Sequence, residues 1–198
     1  MIFKRGRKKW GLQEFSREEK AQIEAALGNP IGSVVPVANL TAYIARLEGA
    51  AASDPGNWIY QYWLGDFYSR DKRYIEAKRT LDRMLELAPD DPRALYAAAS
   101  IYRTLTYAYM TAPEIAPLMP QVRQQMRMAG VDDSGINPEE SQAALTALRL
   151  PLQEAYKRAI DLFERTRKHR LKLMDQRIVD LTLQSAKKEL RNLQGGLE

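Results

Sequence analysis

Residues 57–92, NWIYQYWLGDFYSRDKRYIEAKRTLDRMLELAPDDP, hold two runs of apolar and small side chains at helical spacing, joined by a tight turn. Gln61, Leu64, Gly65 and Tyr68 fall at i, i+3, i+4 and i+7, which is one face of a 3.6-residue period. Ala77, Leu81, Met84 and Leu85 make a second such face. The spacing predicts two helices folded against each other. Gly65 and Ala77 are small where the backbones must pass closely, and Leu64 and Leu81 fill the space beside them.

A lone helical hairpin cannot bury its apolar face, so this one needs stacked neighbours. They are found by stepping 34 residues each way. Forward, Pro89 leads to DDPRALYAAASIYRTL, where Leu95, Ala98, Ala99 and Tyr102 repeat the first-helix face and Tyr96 matches Tyr62. Backward, Pro55 matches Pro89, and NLTAYIARLEGAA puts Tyr43, Leu47, Ala50 and Ala51 in the second-helix register. One complete repeat is therefore flanked by halves.

Leu64, Gly65 and Tyr68 reproduce an L-G-x2-Y pattern, Ala77 begins the small-residue seam and Pro89 closes the unit, so the stretch resembles the tetratricopeptide repeat. Gln61 stands where that pattern has Trp. The likeness covers residues 38–110, with a fainter trace over 139–165. It implies an all-α helical-hairpin array, a right-handed solenoid whose first helices line a concave surface that holds a peptide or helix of another protein. The groove residues it implies are Ile59, Tyr62, Asp66, Ser69 and Arg70 on one helix, and Arg93, Tyr96, Ser100, Arg103 and Thr104 on the next. These positions also lie about a third of a turn from the core stripe, as a groove requires. Tyr62 and Tyr96 offer rigid amphipathic area, and Arg70, Arg93 and Arg103 favour acidic groups. Tyr62 and Asp66 occupy the places where some family members clamp a C-terminal carboxylate with Lys and Asn, which argues against a chaperone-tail receptor.

Outside the repeats the chain divides into a basic N-terminal arm (1–15), a capping helix and loop (16–37), the repeat core (38–110), a proline-rich insertion (111–137) and C-terminal helices (138–194). Ser16 and Glu19 form a capping box, so a helix begins at Arg17 and stops at Gly28. Pro113, Pro117 and Pro120 exclude the second helix expected after residue 110, and only QVRQQMRMA reads as a short helix before GVDDSG. The insertion is a covering lid or a binding loop. Met119, Met126 and Met128 within it suit an adaptable contact. LQEAYKRAIDLFER (152–165) is either the displaced second helix of the repeat opened by Pro92 or part of a third repeat, with Pro151 separating or kinking the pieces. No Gly or Pro then intervenes before Gly195, and Ile160, Phe163, Leu171, Met174, Ile178 and Leu181 make a stripe. That pattern allows one long C-terminal helix of some forty residues, packed on its own repeats, on a second copy as a homodimer, or on a partner.

Charge gives the alternative reading. The net charge of +5 concentrates at the ends, in Lys4, Arg5, Arg7, Lys8 and Lys9 beside Trp10, and in Arg165, Arg167, Lys168, Arg170 and Lys172. Basic ends can meet an acidic protein, nucleic acid or an anionic membrane surface. The chain has no cysteine, no apolar run long enough to span a bilayer and no secretory signal, which places it in the cytoplasm or on the cytoplasmic face of a membrane. His169, the only histidine, reads as an exposed helix residue within RTRKHR. No metal, cofactor or nucleophile motif is present, and Asp132 with Asp133 lacks the rest of a calcium loop. The expected role is a non-catalytic protein-interaction scaffold or assembly factor. The alternative is a peripheral subunit of a membrane-associated or nucleic-acid-containing complex, docked through its basic termini.

Overall fold

The structure is a computed structural model that describes residues 11, 14–29, 40–111, 124, 126–130 and 138–195. The basic arm from Lys4 to Trp10 and most of the insertion, with Met119, lie outside the described residues. Seven helices are bounded: α1 (Arg17–Leu27), α2 (Leu40–Ser53), α3 (Trp58–Arg70), α4 (Tyr74–Leu87), α5 (Pro92–Thr111), α6 (Pro138–Arg167) and α7 (Leu173–Gly195). Residues 126–128 add a helical turn that ends at Gly130, in the left-handed region with φ 71°.

Local signals set most of the limits. The Ser16 hydroxyl accepts from the Glu19 N–H at 3.1 Å while the Glu19 carboxylate accepts from the Ser16 N–H at 2.6 Å, so the expected capping box forms. Gly28 closes α1 with φ 71° and donates to the Glu24 carbonyl at 2.8 Å. Asn57 caps α3 through the Ile59 N–H, and Asp91 caps α5 through the Arg93 N–H. Pro92 opens α5, where its missing N–H is not needed.

The helices pair as α1 with α2, α3 with α4 and α5 with α6, and α7 lies on α6. Leu64, Phe67, Tyr68 and Ala77 join Ile23, Leu40, Ile44 and Leu47 in one core. Leu81, Met84, Leu95, Ala98, Ala99 and Tyr102 join Ala159, Leu162, Phe163 and Leu183 in the other. The close approach expected at Gly65 is real: a Cβ there would stand 2.9 Å from Leu81 Cδ2.

The C-terminal half settles one alternative and corrects one expectation. Tyr96, near the start of α5, meets Phe163, near the end of α6, with ring centroids 5.9 Å apart, and Arg165 donates to the Pro89 carbonyl at 2.6 Å. α6 is therefore antiparallel to α5 and is the displaced second helix of the repeat that Pro92 opens. It runs through Pro151 without ending. The single forty-residue helix does not form: the chain leaves the helix after Arg167 and resumes at Leu173. Arg167, Lys168, Arg170 and Lys172 set like charges three and four residues apart, which weakens a continuous helix. Reversal buries Leu171, Val179, Leu183 and Ala186, which a straight rod would leave in water. His169 accordingly lies half-buried in this turn rather than exposed on a helix. No helix among the described residues is long and apolar enough to cross a membrane.

Candidate functional site: the face of the first helices

α3 and α5 are the first helices of adjacent hairpins, and their groove positions come together around Tyr62. Its phenol is pushed up to about 12, chiefly by burial and then by the nearby charge of Asp66, with Tyr96 adding and Arg93 opposing. Four groups drawn from both helices thus share one field.

The N-terminal half of this face is occupied by the chain itself. Phe15 sets its ring edge-on to Tyr62 at 5.2 Å and lies 6.5 Å from Trp58 and 6.1 Å from Trp63. Arg93 is buried below it, 4.9 Å from the Trp58 ring and 5.4 Å from that of Phe15. Its guanidinium donates to both Glu19 carboxylate oxygens at 2.7 and 3.0 Å, to both Asp91 oxygens at 2.7 and 3.0 Å, and to the Glu14 carbonyl at 3.0 Å. Burial opposes the charge of Arg93, but its bonds to Asp91 and Glu19 outweigh it and hold the guanidinium above its usual value. Lys172, just before α7, pairs with Glu14 and anchors the segment from the other side.

Arg93 does recruit acidic groups, as its chemistry predicts, but those groups belong to its own chain. Two groove positions need correction. Arg93 is buried, and Ile59 faces inward to the α1–α2–α3 core at 3% exposure, because the helix turns that side toward Ile23 and Leu47. Arg103 is also engaged, donating to Glu189 at 2.6 and 3.1 Å and to Ser185 at 3.1 Å on α7. Tyr96 is half-buried against Phe163.

Toward the C-terminal ends of α3 and α5 the remaining positions stay accessible. Asp66 is half-buried and pairs with Arg70 at 3.6 Å; burial raises its carboxyl more than Arg70 lowers it. Arg70 is exposed, with its guanidinium 5.8 Å from the Phe67 ring. Ser69 and Ser100 are half-buried, and Thr104 is exposed with its hydroxyl donating to the Ser100 carbonyl at 3.0 Å. Asp66, Ser69 and Arg70 on α3 and Ser100 and Thr104 on α5 are thus the groove positions left accessible.

Sequence reasoning missed Phe15, Trp58, Trp63, Glu14 and Glu19 as parts of this site. One signal pointed to Phe15: it directly precedes the capping box, where an apolar residue commonly packs back on its helix. Here it crosses to α3 instead. Of the late cations, Arg165 and Lys172 serve the fold, the first also lying 3.8 Å from Asp90, while Arg167, Lys168 and Arg170 are exposed at the α6–α7 turn.

Residues 42–101, from α2 through the first half of α5, match the family model of the tetratricopeptide repeat. No curated protein matches the chain. That match, the hairpin closed on Gly65 and the 34-residue step that recurs around it show that residues 42–101 are a tetratricopeptide repeat segment.

Proposed function

We propose that this chain is a scaffold or assembly factor that holds a segment of another protein against α3 and α5, using the accessible positions Asp66, Ser69, Arg70, Ser100 and Thr104 as its entry. Tetratricopeptide repeats generally mediate protein–protein interaction or scaffolding, which supports that class of activity here. The observation that carries the location is the seating of Glu14 and Phe15 on the same face: a non-helical segment rests there with an aromatic ring on Tyr62 and its Glu14 carbonyl on Arg93. A surface that accepts such a segment from its own chain has the shape and chemistry to accept more of one from another. The open part adds a cation at Arg70 and hydroxyls at Ser100 and Thr104, which suit a partner segment with acidic groups.

The test compares proteins co-purified from the source cell by wild type and by an Arg70→Glu/Thr104→Arg variant, whose changes lie on exposed side chains. Selective loss of one or more partners is expected. An unchanged partner list overturns the assignment of the face.

A further inference from the structure

α7 ends the described array in an unusual way. The terminal element of a repeat stack normally turns a polar face to water, since no further repeat covers it. Here Met174, Ile178 and Leu181, at i, i+4 and i+7, are 65%, 42% and 67% exposed, and Leu173 beside them is 66% exposed. The opposite side of the helix is well packed: Val179, Leu183 and Ala186 are buried. The stripe is therefore an apolar face left over after α7 has docked.

The stripe stops where the same face reaches α5: Ser185 and Glu189, at i+7 and i+11 from Ile178, bind Arg103. Along one edge of the helix Arg177, Lys188 and Arg191 recur at i, i+11 and i+14, all exposed. An apolar stripe about two turns long with a basic row along one edge defines what can cover it. A second copy of the chain suits it poorly. In an antiparallel self-pairing about a two-fold axis each edge meets its own counterpart, so the row of Arg177, Lys188 and Arg191 would face itself, and like charges so placed repel.

We infer that α7 is a second docking surface, separate from the α3–α5 face, and that it takes an amphipathic helix of another protein with acidic residues along one margin of its apolar side. Met174, Ile178 and Leu181 supply the apolar seat, and Arg177, Lys188 and Arg191 fix the orientation.

The probe is a fluorescein-labelled synthetic 18-residue helix with Leu at i, i+3, i+4 and i+7 spacing and Glu along one flank, titrated with the full chain and followed by anisotropy. A second peptide carries Lys in place of each Glu. The inference expects the Glu peptide to bind and the Lys peptide to bind at least tenfold more weakly. It also expects at least tenfold loss of the Glu peptide with Ile178→Glu/Leu181→Glu and with Arg177→Glu/Lys188→Glu, each variant keeping the wild-type circular dichroism spectrum, while Arg70→Glu binds as wild type does. Failure of the Glu peptide to bind, equal binding of the two peptides, or full binding by the α7 variants overturns it. So does a dimeric wild type that Ile178→Glu/Leu181→Glu turns into a monomer, which would make a second copy the occupant.

Discussion

The two ends of the helical stack are finished in opposite ways. At the α1 end the exposed positions are small, polar or charged (Arg17, Glu18, Lys20, Ala21, Gln22 and Ala25), and the preceding residues fold over the neighbouring helices. At the α7 end four large apolar side chains face water. Both helices are amphipathic, so periodicity alone does not separate them; what separates them is whether the outward face is polar. An end with a polar face and its own aromatic plug completes the fold, whereas an end with an apolar face invites an addition.

The largest expected effect lies at the closed end. Arg93→Ala leaves the Glu19 and Asp91 carboxylates facing each other with little solvent, and should cost about 3 kcal/mol in urea unfolding. Arg93→Ala with the stability of wild type would mean that this end is not held by its buried cation. Phe15→Ala removes one ring from the cluster of Trp58, Tyr62 and Trp63, and a loss of about 2 kcal/mol is expected, less than for a fully buried Phe because the ring is half-exposed. Tryptophan fluorescence should shift in the same variant, since two indoles lose a neighbour.

Between the two ends, Gln61 stands where the repeat pattern has Trp, and a cavity of about 270 Å³ opens beside it, lined by Leu64, Tyr68, Glu76, Arg79, Thr80 and Arg83. Gln61→Trp should fill part of it and raise stability by about 1 kcal/mol, read as an increase in melting temperature. No gain would place the cavity outside the reach of the indole.

At the open end the effects are smaller and pH separates them. The hydrogen bond from Arg103 holds the Glu189 carboxyl below its usual value, against the opposing effect of burial and with help from Ser185. Because the folded value is the lower one, the contribution is complete above the ordinary carboxylate range and disappears as pH falls through the folded value. Stability measured from pH 6 to pH 3 should therefore fall less steeply in Glu189→Gln than in wild type, and parallel curves would remove Glu189 from the account. Ile178→Glu/Leu181→Glu should change stability least, within about 0.5 kcal/mol, because these side chains are 42% and 67% exposed. A large loss there would show that the α7 stripe belongs to the core, and the contrast between the ends would collapse.

The regular part of this architecture was legible because its causes are local. The capping box at Ser16 and Glu19, the breaker at Gly28 and the 34-residue step from Gly65 to Ala99 each act within a few residues or by simple repetition. The break at residues 168–172 was not, since neither Gly nor Pro marks it; the chain turns because burying Val179, Leu183 and Ala186 is worth more than continuing a helix through clustered cations. The register of the groove is visible in the sequence; its occupancy is not. Nothing near Arg93 in the sequence reveals that Glu19, 74 residues earlier, will claim its guanidinium. Position within the repeat points Ile59 to the groove, although the packing of α1 against α3 decides which way it faces.

The ties at Arg93 and Lys172 skip a hairpin: Glu19 lies in the first unit and Glu14 just before its first helix, while their partners sit on the third unit and beyond it. A stack joined only between neighbours can unzip from either terminus one unit at a time. Here a strap runs past the middle unit, so peeling away either flank must also release the other. Denaturation should proceed as one concerted event rather than as progressive fraying.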